Sequence, residues 1–233
     1  MELLRGILMV TTAAAMACGI FTGCADKNSP AHSIDDPLPT DNINVAESEF
    51  SLKSENAEDI GSFVITFYPE YAPLSCENVE SLIKEGYYDG CTFHRVWEGF
   101  MAQTGDPTGT GAGGSEKEIT GEFAANGWDK NTLSHTRGVV SLARKSSDYN
   151  SANSQFFICY SDDYVSQLDG IYAAFGKVTE GMEVVDKFTT VEMTDSGDRV
   201  PTKPTVPITI QKAEMIADDA EGHHRAEFKM TIG

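Results

Sequence analysis

Apolar and polar side chains alternate most clearly over Gly61 to Tyr68, where Phe63, Ile65 and Phe67 are interleaved with Ser62, Val64 and Thr66, and this predicts a half-buried strand. Pro69 and Pro73 end that strand. The period then becomes helical: Cys76, Val79, Leu82 and Ile83 share one face, with Ser75 at the N-cap, Glu77 in the first turn and Gly86 just past the end. On that face Cys76 is expected to be a core residue rather than a reactive thiol. Short apolar runs predict strands over residues 138–143 and 155–160, separated by a polar loop from Arg144 to Asn153. Met182, Val185 and Phe188, spaced at three, predict a second helix, and Ile208 and Ile210 alternating with Thr209 and Gln211 predict a closing strand over Val206 to Met215. Regular structure is expected to begin at Val45 to Leu52, and after Ala217 the chain turns acidic and polar, so residues 217–233 are expected to be a loose tail. Many strands, two helices and no repeat make an all-β barrel or sandwich over residues 45–216 the expected fold.

Between the first helix and the glycine-rich segment lies Phe93-His94-Arg95-Val96-Trp97-Glu98-Gly99-Phe100-Met101-Ala102-Gln103-Thr104-Gly105-Asp106. Strand alternation puts Phe93 and Arg95 on one face and Gly99, Met101 and Gln103 on another, so a turn at Glu98-Gly99 decides which groups converge. These residues alone fit either an amphipathic hairpin with an exposed arginine or a binding surface.

Composition narrows the choice. The 233 residues carry a formal charge of −19, which repels nucleic acid and anionic lipid head groups. Of five cysteines, Cys18 and Cys24 lie near the start, and Cys76, Cys91 and Cys159 have no Cys-x-x-Cys spacing, so neither a zinc site nor a disulfide framework is indicated. Residues 1–24 read as a signal peptide, with Arg5 ahead of an uncharged stretch from Gly6 to Gly23 that is too short for a confident membrane span. Its end, Phe21-Thr22-Gly23-Cys24, resembles a bacterial lipobox, which implies acylation at Cys24; Cys18 is the weaker alternative. Residues 25–44, rich in Asp, Asn, Ser and Pro, read as a flexible tether.

Gly109, Gly111 and Gly114 satisfy G-x-G-x-x-G, but Asp106-Pro107 precedes them and no apolar helical face follows, so a dinucleotide site is rejected in favour of an irregular loop. His94 and His135 stand apart from any Ser or Cys nucleophile motif and are expected to be satisfied structural histidines. His223-His224 falls in the expected tail, and Asp148 and Asp162-Asp163 lack the spacing of a calcium loop. No cofactor or metal is expected.

The run FHRV-x-x-GFM-x-Q-x-GD at residues 93–106 resembles the central signature of cyclophilin-type peptidyl-prolyl isomerases. Further similarities follow in family order: Phe67-Tyr68-Pro69-Glu70-Tyr71-Ala72-Pro73 with Glu77-Asn78, the Gly109-Thr110-Gly111 loop, Ser141-Leu142-Ala143, Asn153-Ser154-Gln155-Phe156-Phe157-Ile158, Leu168-Asp169-Gly170 and Phe175-Gly176-Lys177-Val178. The resemblance implies an eight-stranded antiparallel closed barrel with a helix over each end. It also implies that Arg95 is the catalytic group, that Gln103 holds it, and that Phe100, Met101, Phe157 and Leu168 grip the proline ring. Ala143 and Gln155 match positions that contact the peptide backbone. Three departures stand out: Arg144 where many members have Asn, Gln167 where several have Trp, and Tyr172 where many have His.

The chemistry is compatible with those residue types. Rotation about an X-Pro bond breaks amide conjugation, against a barrier of about 18–20 kcal/mol. No nucleophile is needed; a donor helps if it favours the twisted state, in which the prolyl nitrogen regains a lone pair. A guanidinium, planar and always charged, suits that role. The expectation is a monomeric, lipid-anchored, extracytoplasmic isomerase acting on proline-containing unfolded or exported polypeptides, with no nucleic-acid partner. A non-catalytic module that grips proline segments is the alternative, and Arg144 at the groove is its best support.

Overall fold

The computed structural model describes residues 57–233. The expected signal peptide with Cys24, the tether and the strand at Val45 to Leu52 lie outside the described residues. The order of elements is β1 (Glu58–Phe67), α1 (Pro73–Lys84), β2 (Arg95–Trp97), β3 (Met101–Thr104), β4 (Val139–Leu142), β5 (Phe156–Cys159), α2 (Val165–Leu168), β6 (Ala173–Glu180), α3 (Met182–Asp186), β7 (Met193–Thr194), β8 (Lys203–Pro204), β9 (Ile208–Ile216) and β10 (Arg225–Ile232). Eight strands form one antiparallel sheet in the order β2-β3-β5-β4-β6-β1-β10-β9, and β7 pairs with β8 separately. The edges of the large sheet meet because residues 90–93, just ahead of β2, hydrogen-bond to β9: Gly90 and Phe93 donate to the carbonyls of Ile210 and Ile208, each at 2.8 Å.

Strand β1 carries the alternation seen in the sequence, with Phe63, Ile65 and Phe67 completely buried. Val64 and Thr66 are buried as well, so this strand is enclosed on both faces rather than half-buried. Phe63 stacks on Phe228 with ring centroids 5.0 Å apart, and Phe156 and Tyr88 meet the Phe228 ring and each other edge-on.

Two expectations are corrected here. The helix α1 begins at Pro73, with Ser75 inside it, because the N-terminal N–H groups are capped from a distance: Leu74 and Ser75 donate to the Glu122 carboxylate at 2.9 and 2.8 Å. The second correction concerns residues 217–233, which are not a loose tail. Strand β10 lies between β1 and β9 and buries Ala226, Phe228 and Met230. Those three alternate with Glu227 and Lys229. His223 and His224 are therefore ordered too, facing Asp219 at 3.1 Å and Glu80 at 3.0 Å. Among the described residues no helix is long and apolar enough to cross a membrane.

Candidate active site

The turn at Glu98-Gly99 sets the register of the β2–β3 hairpin, with Gly99 at φ +76° and Phe100 N–H donating to the Trp97 carbonyl at 2.9 Å. Arg95 pairs with Gln103, Val96 with Ala102 and Trp97 with Met101. In the next ladder Gln103 faces Phe157 and Met101 faces Cys159. Cross-strand partners share a face, so Arg95, Gln103 and Phe157 stand together on one side. Val96, Ala102, Phe156 and Ile158 turn to the other side and join the main core. The site thus rides on the outer face of strands whose inner face fills the barrel.

Phe93 and Arg95 do not share a face as expected. Phe93 is in the core, its ring tilted against that of Phe188 with centroids 4.6 Å apart, because regular pairing breaks between the bridge at Thr92 and the start of β2.

Met101, Phe157, Cys159 and Leu168 form a second apolar cluster, against which Trp97, Phe100, Ala143, Tyr164 and Tyr172 pack. Phe100, Met101, Phe157, Leu168 and Tyr172 line a pocket of about 150 Å³, and Arg95, Gln103, Ala143 and Arg144 complete its rim. A dry cavity near that size holds a benzene-sized molecule, so a single pyrrolidine ring fits. Tyr172 meets Phe157 edge-on at 5.7 Å, and Phe100 lies on Tyr164 at 4.2 Å. A wider, more polar groove of about 610 Å³ adjoins the pocket, shares Gln103, Ala143 and Arg144 with it, and also includes Gln155.

The polar groups are tied in a relay. Gln155 Nε2 donates to the carbonyls of Gly111 (3.1 Å) and Gly113 (2.7 Å), Gln103 Nε2 donates to Gln155 Oε1 at 2.8 Å, and Arg95 Nη1 reaches Gln103 Oε1 at 3.5 Å. On its other side Arg95 donates from Nε and Nη2 to both oxygens of Asp198, at 2.7 and 3.0 Å. The Arg95 hydrogen bonds pull the Asp198 carboxyl down to about 2. Asp198 was not among the residues singled out from the sequence; it lies 103 positions from Arg95, and nothing local marks it. Arg144, the departure on which the non-catalytic alternative leaned, is held to the wall. Its Nε and Nη2 donate to the Ile171 carbonyl at 3.1 and 2.9 Å, and its guanidinium sits 4.6 Å from the Tyr172 ring. Gln167 takes a hydrogen bond from Ser166 in α2, a single-turn helix absent from the expected pair.

The glycine loop that anchors the relay is built on Asp106. Its Oδ1 accepts from Thr108 N–H at 2.8 Å, and its Oδ2 accepts from Gly111 N–H at 2.8 Å and Gly113 N–H at 3.0 Å. Burial opposes its ionisation, but the hydrogen bonds from Thr108, Gly113 and Thr110 outweigh that and hold the carboxyl well below its ordinary 3.8. Its contribution to stability is accordingly complete above that value and is lost only in stronger acid. Asp106→Asn sets an amide N–H₂ against backbone N–H groups. It is expected to cost about 3 kcal/mol in urea unfolding at neutral pH, and to raise KM as Gln155 and Gln103 loosen.

His135 offers an arrangement that invites a hydrolytic reading: Nδ1 lies 2.7 Å from Asp169 and Nε2 lies 2.9 Å from Ser141 Oγ. Ser141 is completely buried and His135 nearly so, which leaves no room for a scissile group. The array is a strut under Phe157, whose ring stacks on His135. His94 is not the satisfied histidine expected; neither ring nitrogen has a partner, and Gly111 packs against the ring. Burial lowers the pKa of both histidines, more than Asp169 raises that of His135. A ring held neutral contributes stability that is full above its ordinary 6.5 and is lost as pH falls below it, because protonation favours the unfolded chain. The melting temperature is therefore expected to fall between about pH 7 and about pH 5, and His135→Gln to flatten the slope.

Cys76, Cys91 and Cys159 are unpaired and buried, and desolvation pushes the Cys91 and Cys159 thiols up to about 12. None is poised as a nucleophile.

An antiparallel barrel bearing a small apolar pocket on its outer face, with an oriented guanidinium at the rim, defines a protein that binds a small apolar group beside a cation. Residues 51–215 match the cyclophilin type peptidyl-prolyl cis-trans isomerase family, and the chain belongs to it. Among curated relatives, it is 43% identical over 129 residues to peptidyl-prolyl cis-trans isomerase-like 3 of Rattus norvegicus, covering 55% of this chain and 76% of that protein. To peptidyl-prolyl cis-trans isomerase-like 1 of Aspergillus fumigatus it is 40% identical over 163 residues, covering 70% and 94%. A solved cyclophilin type isomerase from Cryptosporidium parvum superposes with a TM-score of 0.55 at 31% identity, covering 65% of this chain and 96% of that one. The protein is a peptidyl-prolyl cis-trans isomerase.

Proposed function

We propose that this isomerase turns X-Pro bonds in exported polypeptides, with the proline ring in the Phe100-Met101-Phe157-Leu168 pocket and Arg95 donating to the prolyl nitrogen as it pyramidalises. The observation that carries this reading is that Arg95 borders the same small pocket as the apolar residues. In it, the peptide backbone runs on past Ala143 into the wider groove beside Gln155. Further support comes from the Cryptosporidium parvum isomerase, which was crystallised in the presence of the dipeptide Ala-Pro. Gln103 steadies the arginine, and Tyr172 and Arg144 form the far wall.

The test is exchange NMR on an Ala-Pro-containing peptide with the full chain present. Acceleration accompanied by shifts at Phe100 and Met101 supports the pocket assignment, and acceleration with no change at either residue sinks it. Anchoring through Cys24 belongs to the same proposal and rests on the uncharged stretch before it and the lipobox-like Thr22-Gly23-Cys24. Each buried acyl methylene contributes about 0.8 kcal/mol, enough in sum to hold an acidic protein at a bilayer. Cys24→Ser is expected to move the protein from the membrane to the soluble fraction. If the variant stays with the membrane, Cys24 is not the anchor.

A further inference from the structure

The short bonds that orient Arg95 come from Asp198, on the hairpin between β7 and β8. Nε and Nη2 engage Oδ2 and Oδ1 as parallel donors, the bidentate geometry that fixes the plane of a guanidinium. By contrast, the contact with Gln103 is 3.5 Å long, at the outer limit of a hydrogen bond. The carboxylate is itself anchored: Oδ2 accepts from Thr202 Oγ1 at 2.6 Å and from Ser196 Oγ at 3.2 Å. Thr202 is completely buried, and its carbonyl accepts from Val96 N–H at 2.7 Å, so the clamp is rooted in β2 beside Arg95 itself. A guanidinium has five N–H donors. Asp198 takes one on Nε and one on Nη2, a donor on Nη1 reaches Gln103, and Arg95 itself borders the pocket.

We propose that Asp198 is a positioning residue for the isomerisation, holding the Arg95 guanidinium in the one plane from which its outer N–H groups meet the prolyl nitrogen. The inference rests on the reading that Arg95 is the electrostatic group. It also makes a choice between two ways an arginine can act. A diffuse positive charge is weakened by a neighbouring carboxylate, and removing Asp198 would then speed the reaction. An oriented donor is improved by it, and removing Asp198 slows the reaction.

The experiment is a kinetic double-mutant cycle on the full chain with Asp198→Asn, Arg95→Ala and the double variant, alongside thermal melts. Asp198→Asn is expected to lower kcat about tenfold while KM moves by less than about twofold. Adding it to Arg95→Ala is expected to change nothing further. A kcat that is unchanged or higher in Asp198→Asn overturns the proposal, as does an equal loss in the Arg95→Ala background, which would mark a merely structural role. If Arg95→Ala itself leaves the rate intact, the reading of Arg95 fails instead, and the two failures are told apart. The unsubstituted protein supplies a readout independent of variant folding. Its Arg95 Nε–H is expected as a slowly exchanging NMR resonance from pH 5 to about pH 8, and rapid exchange there overturns the clamp.

Discussion

Arg95→Ala is expected to lower kcat/KM for X-Pro exchange by about 10- to 100-fold, the rate equivalent of the roughly 1.5–3 kcal/mol that a charge-assisted hydrogen bond contributes. The loss should fall mainly in kcat, because in the proposed mechanism the bond to the prolyl nitrogen strengthens only as conjugation breaks. The apolar pocket is untouched by the substitution, so proline peptides should still bind. Arg95→Lys distinguishes charge from geometry. An ammonium keeps the charge but cannot match both oxygens of Asp198 while presenting further planar donors, so most of the activity should be lost. Exchange NMR at matched peptide concentration measures both variants. Full activity in Arg95→Ala would remove the arginine from the mechanism.

The second large effect concerns stability. Deleting residues 225–233 is expected to abolish cooperative unfolding altogether. Strand β10 is paired on both sides, so its loss leaves β1 and β9 as unpaired inner edges and uncovers Phe63, Tyr88 and Phe156. Phe228 and Met230 contribute about 1.5–3 kcal/mol each by burial, and the ladder hydrogen bonds add about 1 kcal/mol each. Together these approach the whole stability of a domain, about 5–15 kcal/mol. Phe228→Ala, which keeps the strand, should instead cost about 3–5 kcal/mol and retain a cooperative melt at lower temperature. A sharp thermal transition in the truncated chain would mean that β10 is dispensable.

That C-terminal strand illustrates why a legible pattern can be passed over. Ala226, Phe228 and Met230 alternate with Glu227 and Lys229, a period-two signal as regular as that of β1, yet it follows the acidic stretch at Asp218 to Glu221 and reads as polar in bulk. Composition averages over a window, whereas alternation depends on which face each residue takes. The helix α1 shows the converse: its apolar face was plain, but its cap was misassigned to Ser75, because the group that caps it, Glu122, lies 47 positions beyond Ser75.

The sequence by itself determined the strands that carry the site, the second helix near Met182, the resemblance to cyclophilins and the residue set around Arg95, Phe100, Met101, Gln103 and Phe157. The strands and the helix rest on neighbours a few positions apart, where spacing and side-chain type constrain the backbone directly, whereas the residue set rests on the resemblance, whose motifs run in order from Phe67 to Val178. Only the tertiary structure decided that Phe93 turns inward while Arg95 turns outward, that Arg144 is stacked on Tyr172 and tied to Ile171, and that the site occupies the outside of the barrel. It alone brought Asp198 to Arg95, and β10 between β1 and β9. Those pairings join segments up to about 170 residues apart, and they follow from how the sheet curls and closes on itself, a global condition that no local window of the chain records.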